Sequence, residues 1–238
     1  MHFTLDSWAA LADGLTTREQ WLDWFERPRP LGRRFSPDLS WMPASLRRRV
    51  SPLGRVALNV LAACLPAEAC PVVFASRYGD LEGIAGLLAQ LHEEGIVSPM
   101  GFSLSVHNAA IGVYSIARQD RISTTCIAAN ADLIEVACVE AMGWMASGER
   151  QVLLVCCEDP APPPYRADEG ATDFRYAWAC RLRATKTEGV TLRLADGGVK
   201  SEIPSRGNTS NLDPLAFMAG VRGSSLMSET GRYEWRHD

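Results

Sequence analysis

The chain has no Cys-x-x-Cys pair, no internal repeat, no long uncharged apolar run and only four histidines in 238 residues. Without an apolar run of about 20 residues, no membrane-spanning helix is expected. Without paired cysteine spacing, zinc and dithiol chemistry have no ligand set, and no metal or cofactor is expected. The seven cysteines, at 64, 70, 126, 138, 156, 157 and 180, are odd in number. They read as small buried hydrophobes in a reduced compartment rather than as a disulfide framework. The histidines are His2, His92, His107 and His237, so nothing between 108 and 236 supplies an imidazole base. A basic excess is also lacking. With 24 Lys and Arg against 28 Asp and Glu, the net charge of −4 argues against a nucleic-acid partner. The opening MHFTLDSWAALADG carries Asp6 and Asp13 and no basic n-region. It does not read as a signal peptide, and a cytoplasmic location is expected.

What is present is ordinary globular material, 47% hydrophobic and 22% charged. The organising stretch is Arg121 to Asp159. Ile122 to Cys126 is an extended segment rich in β-branched residues, and Asn130-Ala131-Asp132 offers capping side chains. Leu133, Ile134, Val136, Ala137, Ala141, Trp144 and Met145 recur at helical spacing up to Gly148, the expected stop. Gln151 to Cys157 is a continuous apolar run, the pattern of a strand buried on both faces. Together these predict a βαβ unit.

Around it, the pattern predicts a strand over Phe3 to Leu11 and helices over Thr17 to Phe25, from Pro43 through a break at Pro52, over Asp80 to Glu94 and over Val106 to Ile116. A buried strand is expected at Cys70 to Ser76 and a proline-rich loop at Pro160 to Gly170. Phe174 to Arg183 and Val190 to Leu194 read as an antiparallel pair across a turn at Lys186 to Gly189. The expected class is α/β, a mixed sheet with crossover helices and a closing antiparallel strand pair. Residues 1–195 form the expected domain; 196–238 read as a tail with a short helix near Pro214 to Gly220 and a strand near Arg232 to Arg236.

The turn after the first strand of the βαβ unit resembles the nucleophile elbow of the condensing enzymes, the β-ketoacyl synthase and thiolase superfamily. Their motif runs roughly Thr-Ala-Cys-small-small-Gly-x-Asp before an alanine-rich helix. Counting back from Asp132, Asn130 takes the glycine place, Ala128 and Ala129 the small places and Thr125 the threonine place. Ile127 then stands at the nucleophile place, with Cys126 one residue early. The segment Phe102 to Ala109 and the Asp159-Pro160 exit extend the likeness to short ketosynthase-like N-terminal-domain proteins, the chain-length-factor partners of aryl polyene pigment pathways. The resemblance implies half of a thiolase-like αβαβα fold.

Condensing chemistry needs a thiolate at a helix N-terminus, where the dipole and backbone amides lower its pKa and hold the oxyanion. Ile127 cannot attack a thioester, so the resemblance implies no catalytic residue. It implies a subunit that pairs with a full ketosynthase and shapes the acyl tunnel, with an acyl carrier protein engaged indirectly. Phe102, Ser105, His107, Asn108, Ile111 and Ile127 are the residues implied at the interface or tunnel. Two alternatives stay open: a thiol acyltransferase or thioesterase using Cys126, and a homodimeric acyl-binding protein. A one-residue shift about a helix start would swing Cys126 by roughly 100° from the nucleophile direction. Gly83-x-x-Gly86 reads as a packing notch rather than a nucleotide loop, Arg47–Arg49 with Arg33, Arg34 and Arg55 as a solvated face or a carrier-protein surface, and His237 as solvated.

Overall fold

The computed structural model describes residues 1–32, 35, 37–163, 165, 172–185, 189–195 and 210–237. Its strands are β1 (His2–Ala12), β2 (Val72–Ala75), β3 (Thr124–Ile127), β4 (Gln151–Glu158), β5 (Tyr176–Ala184), β6 (Val190–Leu194), β7 (Ser225–Met227) and β8 (Tyr233–His237). Its helices are α1 (Arg18–Glu26), α2 (Ala44–Arg47), α3 (Pro52–Ala63), α4 (Leu81–Glu94), α5 (Pro99–Ser103), α6 (Ala109–Arg118), α7 (Leu133–Ala146) and α8 (Asp213–Met218). The strands form one mixed sheet in the order β3-β2-β4-β5-β1-β6-β8-β7.

The parallel part, β3-β2-β4, is built by crossover helices, and the remaining strands are antiparallel. Strand β4 shows why the apolar run reads as it does. Val152, Leu154 and Cys156 face one core, while Leu153, Val155 and Cys157 face the other. Successive side chains of a strand point to opposite faces, so a strand covered on both sides has no polar positions to alternate. The first core lies under α7, α1 and α8; the second lies under α3 and α6. The result is one αβα unit, as expected for half of a thiolase-like fold.

Helix α7 follows the expected course, ending at Ala146 with Gly148 at φ 111° just beyond. Helix α1 has a full capping box, the Thr17 hydroxyl accepting from the Gln20 amide and the Gln20 side chain from that of Thr17. Helix α4 is capped by Asp80 and stopped by Gly95 at φ 73°, yet buries none of its 14 residues. In the Gly83-x-x-Gly86 pattern, Gly83 is packed closely by the capping Asp80 side chain, whereas Gly86 faces open space.

One expected pairing is replaced. Strands β5 and β6 do not pair with each other, because β1 lies between them and is antiparallel to both. The longest strand, entering from the other end of the chain, is a pairing that local alternation does not reveal. The tail's helix and strand both form, and β8 joins the same sheet through β6. Most of the proline-rich loop and the Lys186 end of the turn before β6 lie outside the described residues, as do Arg33 and Arg34.

Candidate functional site

Strand β3 delivers Cys126 and Ile127 at its end, paired with Phe74 and Ala75 of β2. Both are half-buried, and the strand sends them to opposite faces. Ile127 packs against the core under α7, and Cys126 against the core under α3 and α6. The one-residue shift is therefore half a turn about a strand, not roughly 100° about a helix. Helix α7 begins only at Leu133, so neither residue stands at its N-terminus. That place belongs to Asp132, at φ 54° and ψ 34°, a left-handed conformation that non-glycine residues seldom adopt. Its carboxylate makes no bond to the helix it opens. Instead it accepts from the amide of Thr230, at 3.0 Å, and from the Thr230 hydroxyl.

Cys126 lacks the environment of a nucleophile. Burial pushes its thiol up to about 11, the opposite of the depression that makes a thiolate. His107 and Cys126 do line one open depression, with Asn108, Thr124 and Ala128. No hydrogen bond joins them among the described residues. The His107 Nε2 instead meets the Ser76 carbonyl at 2.9 Å, tying the start of α6 to the end of β2. His237, expected in solvent, stacks on Phe217 at 4.2 Å and places Nε2 2.9 Å from the Phe217 carbonyl. Among the described residues no cluster of three or more His, Cys, Asp or Glu side chains could hold a metal. No described helix is long and apolar enough to cross a membrane.

Large apolar side chains are exposed along α4, α5 and α6. Phe102 is 67% exposed and Ile96 68%, with Leu88, Leu91, Met100, Val106 and Ile116 also exposed. Ser105 caps locally, its hydroxyl donating to the Phe102 carbonyl at 2.8 Å. Asn108 sits exposed at the N-cap place of α6. Ile111 turns the other way: at 1% exposure it belongs to the core under α3. The outer edge of β3 pairs with no described strand.

A second cluster went unnoticed in the sequence. The buried Glu135 carboxyl accepts from Trp235 Nε1 at 2.8 Å. Glu158 accepts from the Arg77 amide at 2.8 Å and from Asn211 Nδ2 at 3.2 Å. The Arg77 guanidinium, itself nearly buried, meets Glu229 at 3.3 Å. With Asp132 and Thr230, these contacts tie residues 210–237 to the sheet and α7. Burial pushes both Glu135 and Glu158 up to about 7. The available signal was Glu135 among the apolar residues that open α7 and Glu158 ending an apolar strand. Nearby, Arg175 grips Asp159 with two nitrogens, at 3.0 and 2.7 Å, and reaches Glu82 at 3.2 Å, which orients the start of α4.

No curated protein matches the chain. Among solved structures it is similar to the ketosynthase ApeO in complex with its chain length factor ApeC from Xenorhabdus doucetiae. There it is 24% identical, covering 99% of this chain and 98% of that one, with a TM-score of 0.73. It is also similar to the ishigamide ketosynthase/chain length factor, at 14% identity, 92% and 74% coverage and a TM-score of 0.60. A third likeness is to a type II polyketide acyl-carrier protein complexed with its ketosynthase bound to the hexaketide, at 13% identity, 82% and 69% coverage and a TM-score of 0.63. These likenesses establish a ketosynthase-type, thiolase-like fold. The family of β-ketoacyl synthase N-terminal domains matches residues 21–236, nearly the whole chain, and the chain belongs to that family.

Proposed function

We propose that this chain is a chain-length-factor-like subunit, without condensing activity of its own, that pairs with a full ketosynthase. The observations that carry the reading are the outer edge of β3, which pairs with no described strand, and the exposed large apolar side chains of α4, α5 and α6. An unpaired strand edge and a cluster of exposed large apolar side chains both favour association. The partner forms the carbon–carbon bond between acyl groups carried on an acyl carrier protein. Phe102, Ser105, His107 and Asn108 lie at the seam, and the depression holding Cys126 contributes to the tunnel wall. The absence of a nucleophile is supported by Ile127 in the β3 position and by the raised Cys126 thiol. The neighbours' chain length factors, one of them in an Ape system, favour aryl polyene or related polyketide assembly. A cytoplasmic setting accords with seven unpaired cysteines, six of them buried.

The reading is tested by product analysis of a reconstituted ketosynthase, carrier protein and this chain. Cys126→Trp, filling the depression, is expected to shorten the product, and Ile127→Ala to alter length without abolishing turnover. Unchanged lengths with an intact complex would remove the tunnel role.

A second reading rests on His107 and Cys126 lining one depression: a stand-alone thiol acyltransferase or thioesterase. Iodoacetamide labelling of Cys126 at neutral pH, blocked by an acyl thioester, would favour it.

A further inference from the structure

Between Arg77 and Arg118 the chain carries no lysine or arginine, and all 24 of those residues lie outside this interval. The same interval has four carboxylates, Asp80, Glu82, Glu93 and Glu94, and two imidazoles, His92 and His107. No residue from Leu81 to Ala110 is buried. Its helices are joined to one another by contact. Leu87 of α4 packs on Gly101 of α5, where an added Cβ would stand 3.0 Å from the Leu87 Cδ2. Leu104, Val106 and His107, between α5 and α6, line one small cavity with Gly79 and Asp80 at the start of α4. Exposed Leu88, Leu91, Ile96, Met100, Phe102 and Val106 make this stretch apolar as well as free of strong cations.

Two of the four carboxylates are engaged within the chain. Asp80 caps α4, accepting from the Gly83 amide at 3.2 Å, and Glu82 pairs with Arg175 at 3.2 Å. The other two, in the last turn of α4, have no cation. Glu94 accepts from the neutral Gln90 side chain at 3.1 Å, and Glu93 makes no hydrogen bond or ion pair among the described residues. Carboxylates at a helix C-terminus oppose the macrodipole, so helix stability does not account for their placement. Glu94 stands one turn beyond the exposed Leu91, at the margin of the apolar side chains.

We infer, on the reading that this surface is the seam, that it selects a partner presenting an apolar face rimmed by lysine or arginine against Glu93 and Glu94, and that it rejects a second copy of this chain. A twofold pair places the same patch on both subunits. Two copies meeting here would bring Glu93 and Glu94 of each together, and in any register neither surface offers a lysine or arginine to pair with them. Like charges juxtaposed across an interface are costly. The apolar side chains attract any apolar face; the carboxylates choose among partners.

Sedimentation velocity at pH 8 tests this without a ketosynthase. The samples are the full chain, its Glu93→Lys, Glu94→Lys double variant and an equimolar mixture of the two, each in about 20 mM and about 500 mM NaCl. Both side chains are exposed and lysine suits the last turn of a helix, so the variant keeps its fold. In low salt the mixture is expected to associate at least about tenfold more tightly than either chain alone, and high salt should remove most of that difference. Self-association of the unaltered chain in low salt as tight as that of the mixture would overturn the inference, as would a mixture no tighter than the variant alone. Titration of both chains against a full-length ketosynthase separates this from the pairing itself. Binding at least about tenfold weaker for the variant supports the cationic rim, and equal binding overturns it. No binding by either chain removes the ketosynthase reading, while the mixture still decides the chemistry of the surface.

Discussion

The two ends of the sheet are finished in different ways. At one end, the chain closes on itself: β8 and β7 cap β6, Trp235 and Phe217 fill the core, and buried carboxyls take donors from residues 210–237. At the other end, the outer edge of β3 pairs with no described strand, no residue of α4 is fully buried, and large apolar side chains are exposed. The closed end is specified by side chains far apart in sequence, since Trp235 and Glu135 are 100 residues apart. On the proposed reading, the open end is completed by a second chain, so that stability resides in the first end and association in the second.

The comparison breaks most severely at Trp235. Trp235→Ala removes a fully buried aromatic and the donor to Glu135, and should cost about 3–5 kcal/mol in chemical denaturation. A loss below about 1 kcal/mol would mean that the closed end is not part of the cooperative unit.

Next comes pH. Glu135 and Glu158 are raised from 4.5 to about 7 in the folded state, so the folded chain holds more protons than the unfolded chain between those values. Their contribution therefore falls as pH rises from 4.5 through 7, by up to about 3 kcal/mol for each group. Denaturation midpoints should be lower at pH 8 than at pH 5.5, and the Glu135→Gln, Glu158→Gln double variant should flatten the difference. An unchanged slope would refute the burial argument.

At the open end the effects move from stability to association. Phe102→Asp should leave the isolated chain within about 0.5 kcal/mol of its parent. The same change should weaken the ketosynthase complex at least tenfold, about 1.4 kcal/mol, in a titration of one chain against the other. Equal affinity would move the seam elsewhere. The smallest effect is at Gly86, where an added Cβ meets nothing within the chain. Gly86→Ala should stabilise the isolated chain by about 0.5–1 kcal/mol through helix propensity. Weakened complex formation in the same variant would place the partner's backbone against α4.

Much of this was legible in the sequence because it is local. Asn130 to Gly148 reads as a turn and helix, and Gln151 to Cys157 as a two-sided strand, from residues within a few positions of each other. The insertion of β1 between β5 and β6 was not legible, since it is a pairing between opposite ends of the chain. The elbow was half legible. The motif count drew attention to Ile127 and Cys126, but the backbone places the left-handed residue that opens α7 five positions later, at Asp132. The buried carboxyls were missed because their donors, Trp235, Asn211 and Thr230, come from a distant segment.

The most direct test of the central claim is co-expression with a full-length ketosynthase, followed by size exclusion with mass detection and hydrogen exchange across β3. The account predicts a one-to-one complex, condensing activity that disappears when either chain is omitted, and Thr124–Ile127 amides protected further in the complex. A chain that runs alone beside an active ketosynthase, with β3 exchange unchanged, would contradict it.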